Sequence, residues 1–353
     1  MFPYIFLSTL SGLNSILYRR KSDNLISAFI FIALLFLVTF RGGGFGLGDY
    51  DNYRRFYNLV LTWSDVINIS VPAEIGFRFF SYIGNTLGFN SQFIIVVMGL
   101  LSIIPVFWLI KKKSDYKVLA LFFWLPYFLT FNMHTSRTAV AAGFGVLFIF
   151  FFYKGKYLLS SLLFFVAFSF HKSAFILLLV FLTLCPLKIL FYFAFFLFFT
   201  LILVTPLDIS ILLLNKFGMS SLSSKIIAYR GGYFGYPMPL YDPRILISLL
   251  ISFFGYKIRY KLTNFEIYYL KVFVIGTLLL ISFSEVVIMA WRSSYFFLLN
   301  GVIVIPFLAK YYNLMIFKGS NIKMLASLFV VFSYGLYLAW LIYGGEPFIL
   351  YQG

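Results

Sequence analysis

Charge is what this sequence has least of, and negative charge above all. Of its 353 residues 11% are charged, 11 of them acidic against 28 basic. A soluble domain carries roughly 25% charged residues, so an ordinary water-soluble protein is excluded. Only one cysteine, Cys185, is present, which rules out an internal disulfide and a cysteine-held metal cluster. Two histidines argue against a multi-histidine metal site. No Walker motif occurs. The glycines of 42–48 lack the preceding strand and following βαβ unit of a dinucleotide fingerprint. Neither a metal nor any other cofactor is therefore expected.

What fills the chain instead is apolar: 62% of residues are hydrophobic, with 49 Phe and 26 Tyr, and the mean hydropathy is +0.97. The apolar stretches are continuous rather than alternating. They run about 16–22 residues, the length that crosses a ~30 Å hydrocarbon core as helix. The expected fold is an all-α polytopic membrane protein of about 11–12 transmembrane helices. Up to twelve spans are predicted, roughly at 2–18, 24–40, 91–110, 118–133, 136–153, 157–170, 173–187, 189–206, 244–257, 267–286, 293–309 and 324–343. Arg19, Arg20 and Lys21 follow the first apolar run, where a cleaved signal peptide carries its charge before it. The N-terminus is expected to face outward and be retained.

Alternate loops sort the net charge of +17 by side. One set holds 16 basic residues, 13 of them lysine, against Asp23, Asp115 and Glu266. By the positive-inside rule that side is cytoplasmic, and no nucleic-acid partner is needed to explain the charge. The opposite side holds eight arginines, Arg41, Arg54, Arg55, Arg78, Arg137, Arg230, Arg244 and Arg292, with three lysines and eight acids. Orientation needs only positive charge, which lysine supplies. Arginine adds a rigid fork that matches phosphate and carboxylate oxygens in pairs. An anion site using at least three of these arginines is expected on the outer face. Lys271 alone lies within a span.

A single membrane domain, 1–353, is expected, with two long outer loops. Residues 41–90 contain RGGGFGLGDYDNYRRFY and then a predicted amphipathic interfacial helix, EIGFRFFSYIGNTLG at 74–88, on which Glu74 and Arg78 are spaced to meet. Residues 207–243 hold Arg230 among tyrosines, including Tyr233. Long loops in a compact fold are more often functional than decorative. Asp49, Asp51, Tyr50 and Tyr53 suit sugar hydroxyls and rings. Arg137 begins a helix rich in small residues, which lets helices approach closely and points the arginine into the bundle. His171 sits in the turn FHKSA, and histidine is the usual proton acceptor near neutral pH. Glu285 and Arg292 bracket VVIMAW near another span end.

These motifs occur in a familiar order. Gly48–Asp49–Tyr50 with Tyr53, Glu74–Gly76–Phe77, Arg137–Ala139, His171–Ser173 and Arg292–Phe296 resemble the EpsG-like branch of the Wzy repeat-unit polymerases, over about residues 40–300. The resemblance implies a GT-C-like membrane glycosyltransferase of the bacterial inner membrane. Such an enzyme joins undecaprenyl-pyrophosphate-linked oligosaccharide repeat units into O-antigen or a related polysaccharide on the periplasmic face. It implies that lipid-linked oligosaccharide as donor and acceptor, the bilayer, and a chain-length regulator protein as partners.

On this reading the activated donor needs no ATP. Arg137 and Arg292, with Arg41, Arg78 or Arg230, hold the pyrophosphate. His171, Asp49 or Glu74 takes the proton of the acceptor hydroxyl. Tyr50, Asp51, Tyr53 and Tyr233 meet sugar. Two other readings stand beside it: an O-antigen ligase, and a flippase or transporter of the lipid-linked oligosaccharide. A transporter would place charge at mid-membrane depth, where only Lys271 is found.

Overall fold

The structure, a computed structural model, describes residues 2–16, 20–41, 49–68, 71–134, 136–201, 215–216, 220–232, 235–316 and 325–343. Among them helix is the only regular secondary structure. Four helices are long and apolar enough to cross a membrane: Ser22–Thr39, Gln92–Lys113, Ser136–Tyr153 and Asn264–Ser282. Shorter apolar helices lie between and after them. The chain is thus an all-α, multi-pass membrane protein. It divides into two compact units, residues 1–175 with 301–353, and residues 176–300.

The first unit contains α1 (Phe2–Ile16), α2 (Arg20–Thr39), α3 (Asp49–Asn58), α4 (Trp63–Ile67), α5 (Ile75–Thr86), α6 (Gln92–Lys113), α7 (Lys117–Tyr127), α8 (Ser136–Tyr153) and α9 (Tyr157–Phe170). Its centre is α7. Every residue from Val118 to Pro126 is buried, because this helix is apolar all round and packs against α1, α2 and two helices from the end of the chain. Its N-terminus is capped from a distance. The Asp23 carboxylate on α2 accepts from the backbone N–H of Lys117 at 2.9 Å and of Val118 at 3.0 Å, answering the unpaired donors that every helix start exposes. Lys112 lies over the Trp108 ring at 4.4 Å, and Lys310 pairs with Asp115 at 2.9 Å. The second contact brings Lys310 to the end of α6 that carries Lys112.

The small residues of α8 do what their spacing predicts. Ala139, Ala141, Ala142, Gly143 and Gly145 are all buried. A Cβ on Gly143 would stand 2.9 Å from the Ser102 carbonyl of α6, so α6 and α8 approach backbone to backbone there.

The second unit holds α10 (Leu187–Leu201), α11 (Ser220–Arg230), α12 (Pro243–Lys257), α13 (Asn264–Ser282) and α14 (Val287–Leu298). Lys271, the mid-span lysine, donates to the Thr183 carbonyl at 2.8 Å. It serves a helix end.

Several expected boundaries change. The run predicted as a span at 173–187 is a 3-10 helix, Lys172–Leu184. At about 2.0 Å rise per residue, its 13 residues reach about 26 Å where an α-helix would reach about 20 Å. The span predicted at 293–309 is two helices, α14 and α15 (Gly301–Ile316), broken at Leu299 and Asn300. The Asn300 amide donates to the Phe296 and Phe297 carbonyls at 3.1 and 3.3 Å and so takes up the acceptors left at the helix end. The last helix is α16 (Leu325–Tyr343). The stretch 41–90 is not a bare loop with one helix: α3 and α4 precede α5 in it, and α5 spans 75–86 rather than 74–88.

Candidate functional site

The site grows from the end of α2. Arg41 follows its last turn and is 1% exposed. Its guanidinium donates through Nη1 to the Met133 carbonyl and through Nη2 to the Ser136 hydroxyl at 2.6 Å. Met133 closes a π-turn, Phe128–Asn132, at the end of α7. Such a turn widens the helix and leaves carbonyls without partners. One arginine thus joins the end of α7 to the start of α8. Gln92, first residue of α6, completes the joint: its Nε2 donates to the Thr39 carbonyl at 2.7 Å, and its Oε1 accepts from the Tyr50 hydroxyl at 2.8 Å. Burial pulls the Arg41 guanidinium below its ordinary pKa, while Tyr53 and Asp49 act in the opposite direction.

Arg137, second residue of α8, pairs with Glu74 at 2.5 Å, with side chains 20% and 15% exposed. Its guanidinium lies 5.5 Å from the ring of Tyr53, 5.9 Å from Phe56 and 6.0 Å from Phe77. The Tyr53 hydroxyl accepts from the Arg137 backbone N–H and faces Asp49 Oδ2, both at 3.5 Å. Burial pushes the Tyr53 phenol up, so it stays a neutral hydroxyl. Asp49 lies within electrostatic reach of both Arg41 and Arg137. The Nε atoms of Arg41 and Arg137 are buried without a hydrogen-bond partner. Unmet guanidinium donors beside aromatic walls suit an oxyanion with several oxygens.

The helix α5 enters this corner by way of Gly76. A Cβ there would stand 2.8 Å from Ser169 Oγ and 2.9 Å from the Ser169 carbonyl of α9, so only glycine lets the two helices meet. Glu74 lies two residues before Gly76, and His171 two residues after Ser169. His171 Nδ1 accepts from the Ser173 backbone N–H at 3.1 Å and faces its hydroxyl at 2.5 Å. A ring nitrogen that accepts from an amide carries no proton, so Nε2 carries it in the neutral ring.

Six of the sequence-predicted residues therefore converge: Arg41, Asp49, Tyr50, Tyr53, Glu74 and Arg137. Others do not. Asp51 is exposed on α3. Arg78 is buried and donates to the Asn68 carbonyl. The expected Glu74–Arg78 pair is thus corrected. Glu74 is the extended residue before α5, with φ −71° and ψ 159°, so its carboxylate leaves the helix face and meets Arg137 instead. Tyr233 and the glycines 42–48 lie outside the described residues. Arg230 and Arg292 belong to the second unit, at the exposed end of α11 and half-buried on α14. Sequence reasoning passed over Gln92. A glutamine opening an otherwise apolar helix was the available signal.

The second unit has its own polar cluster. Asp242 caps α12 and grips Arg244 with both oxygens, at 2.8 Å to Nε and 2.6 Å to Nη2. The guanidinium stacks over Trp291 at 4.6 Å. Backbone bonds from Met238 to the Ser284 carbonyl and from Val287 to the Tyr236 carbonyl tie the end of the long 207–243 stretch to the turn carrying Glu285. Among the described residues no cluster of three or more His, Cys, Asp or Glu is placed to hold a metal ion.

Comparison with known proteins gives one result. A family model described as the EpsG family matches residues 24–352. No curated protein and no solved structure matches the chain.

Proposed function

The chain belongs to the EpsG family, and from that premise we propose that it is a membrane glycosyltransferase of the polysaccharide-polymerase kind. It would transfer a growing glycan from an undecaprenyl-pyrophosphate carrier to the terminal sugar of a new lipid-linked repeat unit. The observation that carries the reading is the Arg137–Glu74 pair beside the buried Arg41, at the end of helices that enter a membrane. A pyrophosphate leaving at headgroup depth needs fixed positive charge where its own charge develops. Arginines held by Glu74, Tyr53 and a carbonyl supply it without rearrangement.

In the proposed reaction the acceptor hydroxyl oxygen attacks C1 of the donor sugar. The new C1–O bond forms as the bond to pyrophosphate breaks, and the electron pair leaves on the pyrophosphate oxygen. The hydroxyl proton passes to Asp49. Asp49 takes this role because Glu74 is held by Arg137 and the His171 Nδ1 lone pair is already engaged by Ser173. His171 serves instead as a donor through Nε2, to a sugar hydroxyl or phosphate oxygen. Tyr50 and Tyr53 form part of the sugar-facing wall. The bacterial inner membrane, the periplasmic face, the GT-C-like architecture and a chain-length regulator belong to this proposal.

The test is reconstitution of the purified protein with synthetic undecaprenyl-pyrophosphate repeat unit, in EDTA and without nucleotide. A product ladder that disappears in Arg137→Ala supports the reading. No ladder, with the lipid-linked unit crossing the bilayer of proteoliposomes, would replace it with a flippase.

A further inference from the structure

A groove of ≈ 440 Å³ opens in the first unit next to the Arg137–Glu74 pair. The volume lies within the ~300–1,000 Å³ of small-molecule sites. Its lining is almost wholly apolar, and it shares Ile75 and Gly76 with the turn that carries Glu74.

The groove runs away from the charged pair and into the depth of the helices. At its mouth are Trp63 and Phe79, both exposed, meeting edge to face at 6.4 Å. Its far end is formed by Leu101 of α6, Phe144 of α8 and Val166 of α9. Phe144 follows Arg137 by seven residues, two helical turns, which places it on the same face of α8 about 10.5 Å further in. Leu101 is nine residues into α6, about 13.5 Å from its start. The wall between mouth and floor is a stack of rings: Phe80 on Phe170 at 6.0 Å, and Phe170 on Phe144 at 6.3 Å with planes 8° apart.

An anion site at the helix ends, adjoined at Ile75 and Gly76 by an apolar groove of this depth, fits a molecule with a charged phosphate head and a hydrocarbon chain. Resting on the function proposed above, we infer that this groove holds the first isoprene units of the lipid pyrophosphate, with the pyrophosphate on Arg137. The flat ring stack faces the planar, methyl-bearing double bonds that recur along a polyprenyl chain. A disordered saturated acyl chain gains less from such a surface. The close Gly76–Ser169 contact then has a second consequence: it brings the helix that Glu74 precedes against the helix that carries Phe170, so head site and chain site adjoin the same pair of elements.

The test uses the purified full-length protein in nanodiscs and a polyprenyl pyrophosphate with a diazirine on its second isoprene unit and no sugar. Photolysis is expected to label peptides containing Leu101, Phe144 or Val166. A tenfold excess of unlabelled polyprenyl pyrophosphate should remove the label, and the same excess of phosphatidylglycerol should not. Leu101→Trp, which fills the floor, should cut labelling at least fivefold while the protein still elutes as a folded species. A second filling variant, Val166→Phe, serves if the first does not fold. Competed labelling elsewhere in the chain would overturn the groove and leave the lipid-pyrophosphate reading standing. Labelling of the groove that phosphatidylglycerol competes equally would assign it to ordinary bilayer lipid. No competed labelling anywhere would remove both this inference and the function it rests on.

Discussion

Glu74 Oε2 and Arg137 Nη1 lie 2.5 Å apart although 63 residues separate them in the chain. The pair joins the extended residue before α5 to the head of α8. Removing one partner of a mostly buried pair leaves the other's charge uncompensated, which costs more than removing both. Arg137→Ala is therefore expected to lower the polymerisation rate by about 10²–10³-fold, the usual loss for one donor to a developing oxyanion. Glu74→Gln keeps an acceptor but not the charge and should cost about tenfold, because Arg137 is then less firmly aimed. Thermal unfolding of Glu74→Ala, Arg137→Ala and the double variant should show a coupling of about 0.5–3 kcal/mol. Additive losses would mean that the two side chains do not act as a unit.

Arg41 is expected to matter first for structure. Its two donors hold the Met133 carbonyl and the Ser136 hydroxyl, and each buried group left unpaired costs about 1–3 kcal/mol. Arg41→Met should thus lower detergent-denaturation stability by several kcal/mol. Arg41→Lys, whose ammonium cannot reproduce the fork, should recover only part of it. If Arg41→Met unfolded at the wild-type midpoint yet lost activity, Arg41 would belong to the substrate alone.

The sequence shows most of the helices and very little of who meets whom. The small residues of α8 follow from a local pattern, and Arg137 at its head was legible for the same reason. Arg41's partners lie 92 and 95 residues further on, and nothing local announces them. The expected Glu74–Arg78 pair failed because it depended on a helix boundary. Moving the start of α5 by one residue turns Glu74 from a helical position into an extended one. The break between α14 and α15 was legible and was overlooked: Asn300–Gly301 is a strong turn signal inside an apolar run. The 3-10 winding of Lys172–Leu184 has no counterpart in its composition, which reads as an ordinary α-helical span.

Gly76 offers a steric test of the corner. With Ser169 atoms at 2.8 and 2.9 Å from a built Cβ, one of them backbone, Gly76→Ala must push α5 and α9 apart. Overpacking of this kind costs about 1–3 kcal/mol. Activity should fall further than stability, because the shift moves Glu74 away from Arg137. Ser169→Gly removes only the Oγ and leaves the carbonyl, so it should rescue Gly76→Ala partly at most. Wild-type activity in Gly76→Ala would show that the close approach is not needed.

His171 separates two chemical roles that a loss of activity alone cannot. With Nδ1 accepting from the Ser173 amide at 3.1 Å, the neutral ring offers an N–H at Nε2. A glutamine side chain places an amide N–H near that position but cannot take up a proton. If His171 donates a hydrogen bond, His171→Gln should keep activity within about tenfold of wild type, whereas His171→Ala loses the net worth of a bond to a charged group, about 1.5–3 kcal/mol. If His171 is the base, Gln and Ala must be equally poor, since neither accepts the proton. Asp49→Asn completes the comparison: on the present assignment it removes the proton acceptor and loses activity far below His171→Gln, which keeps it.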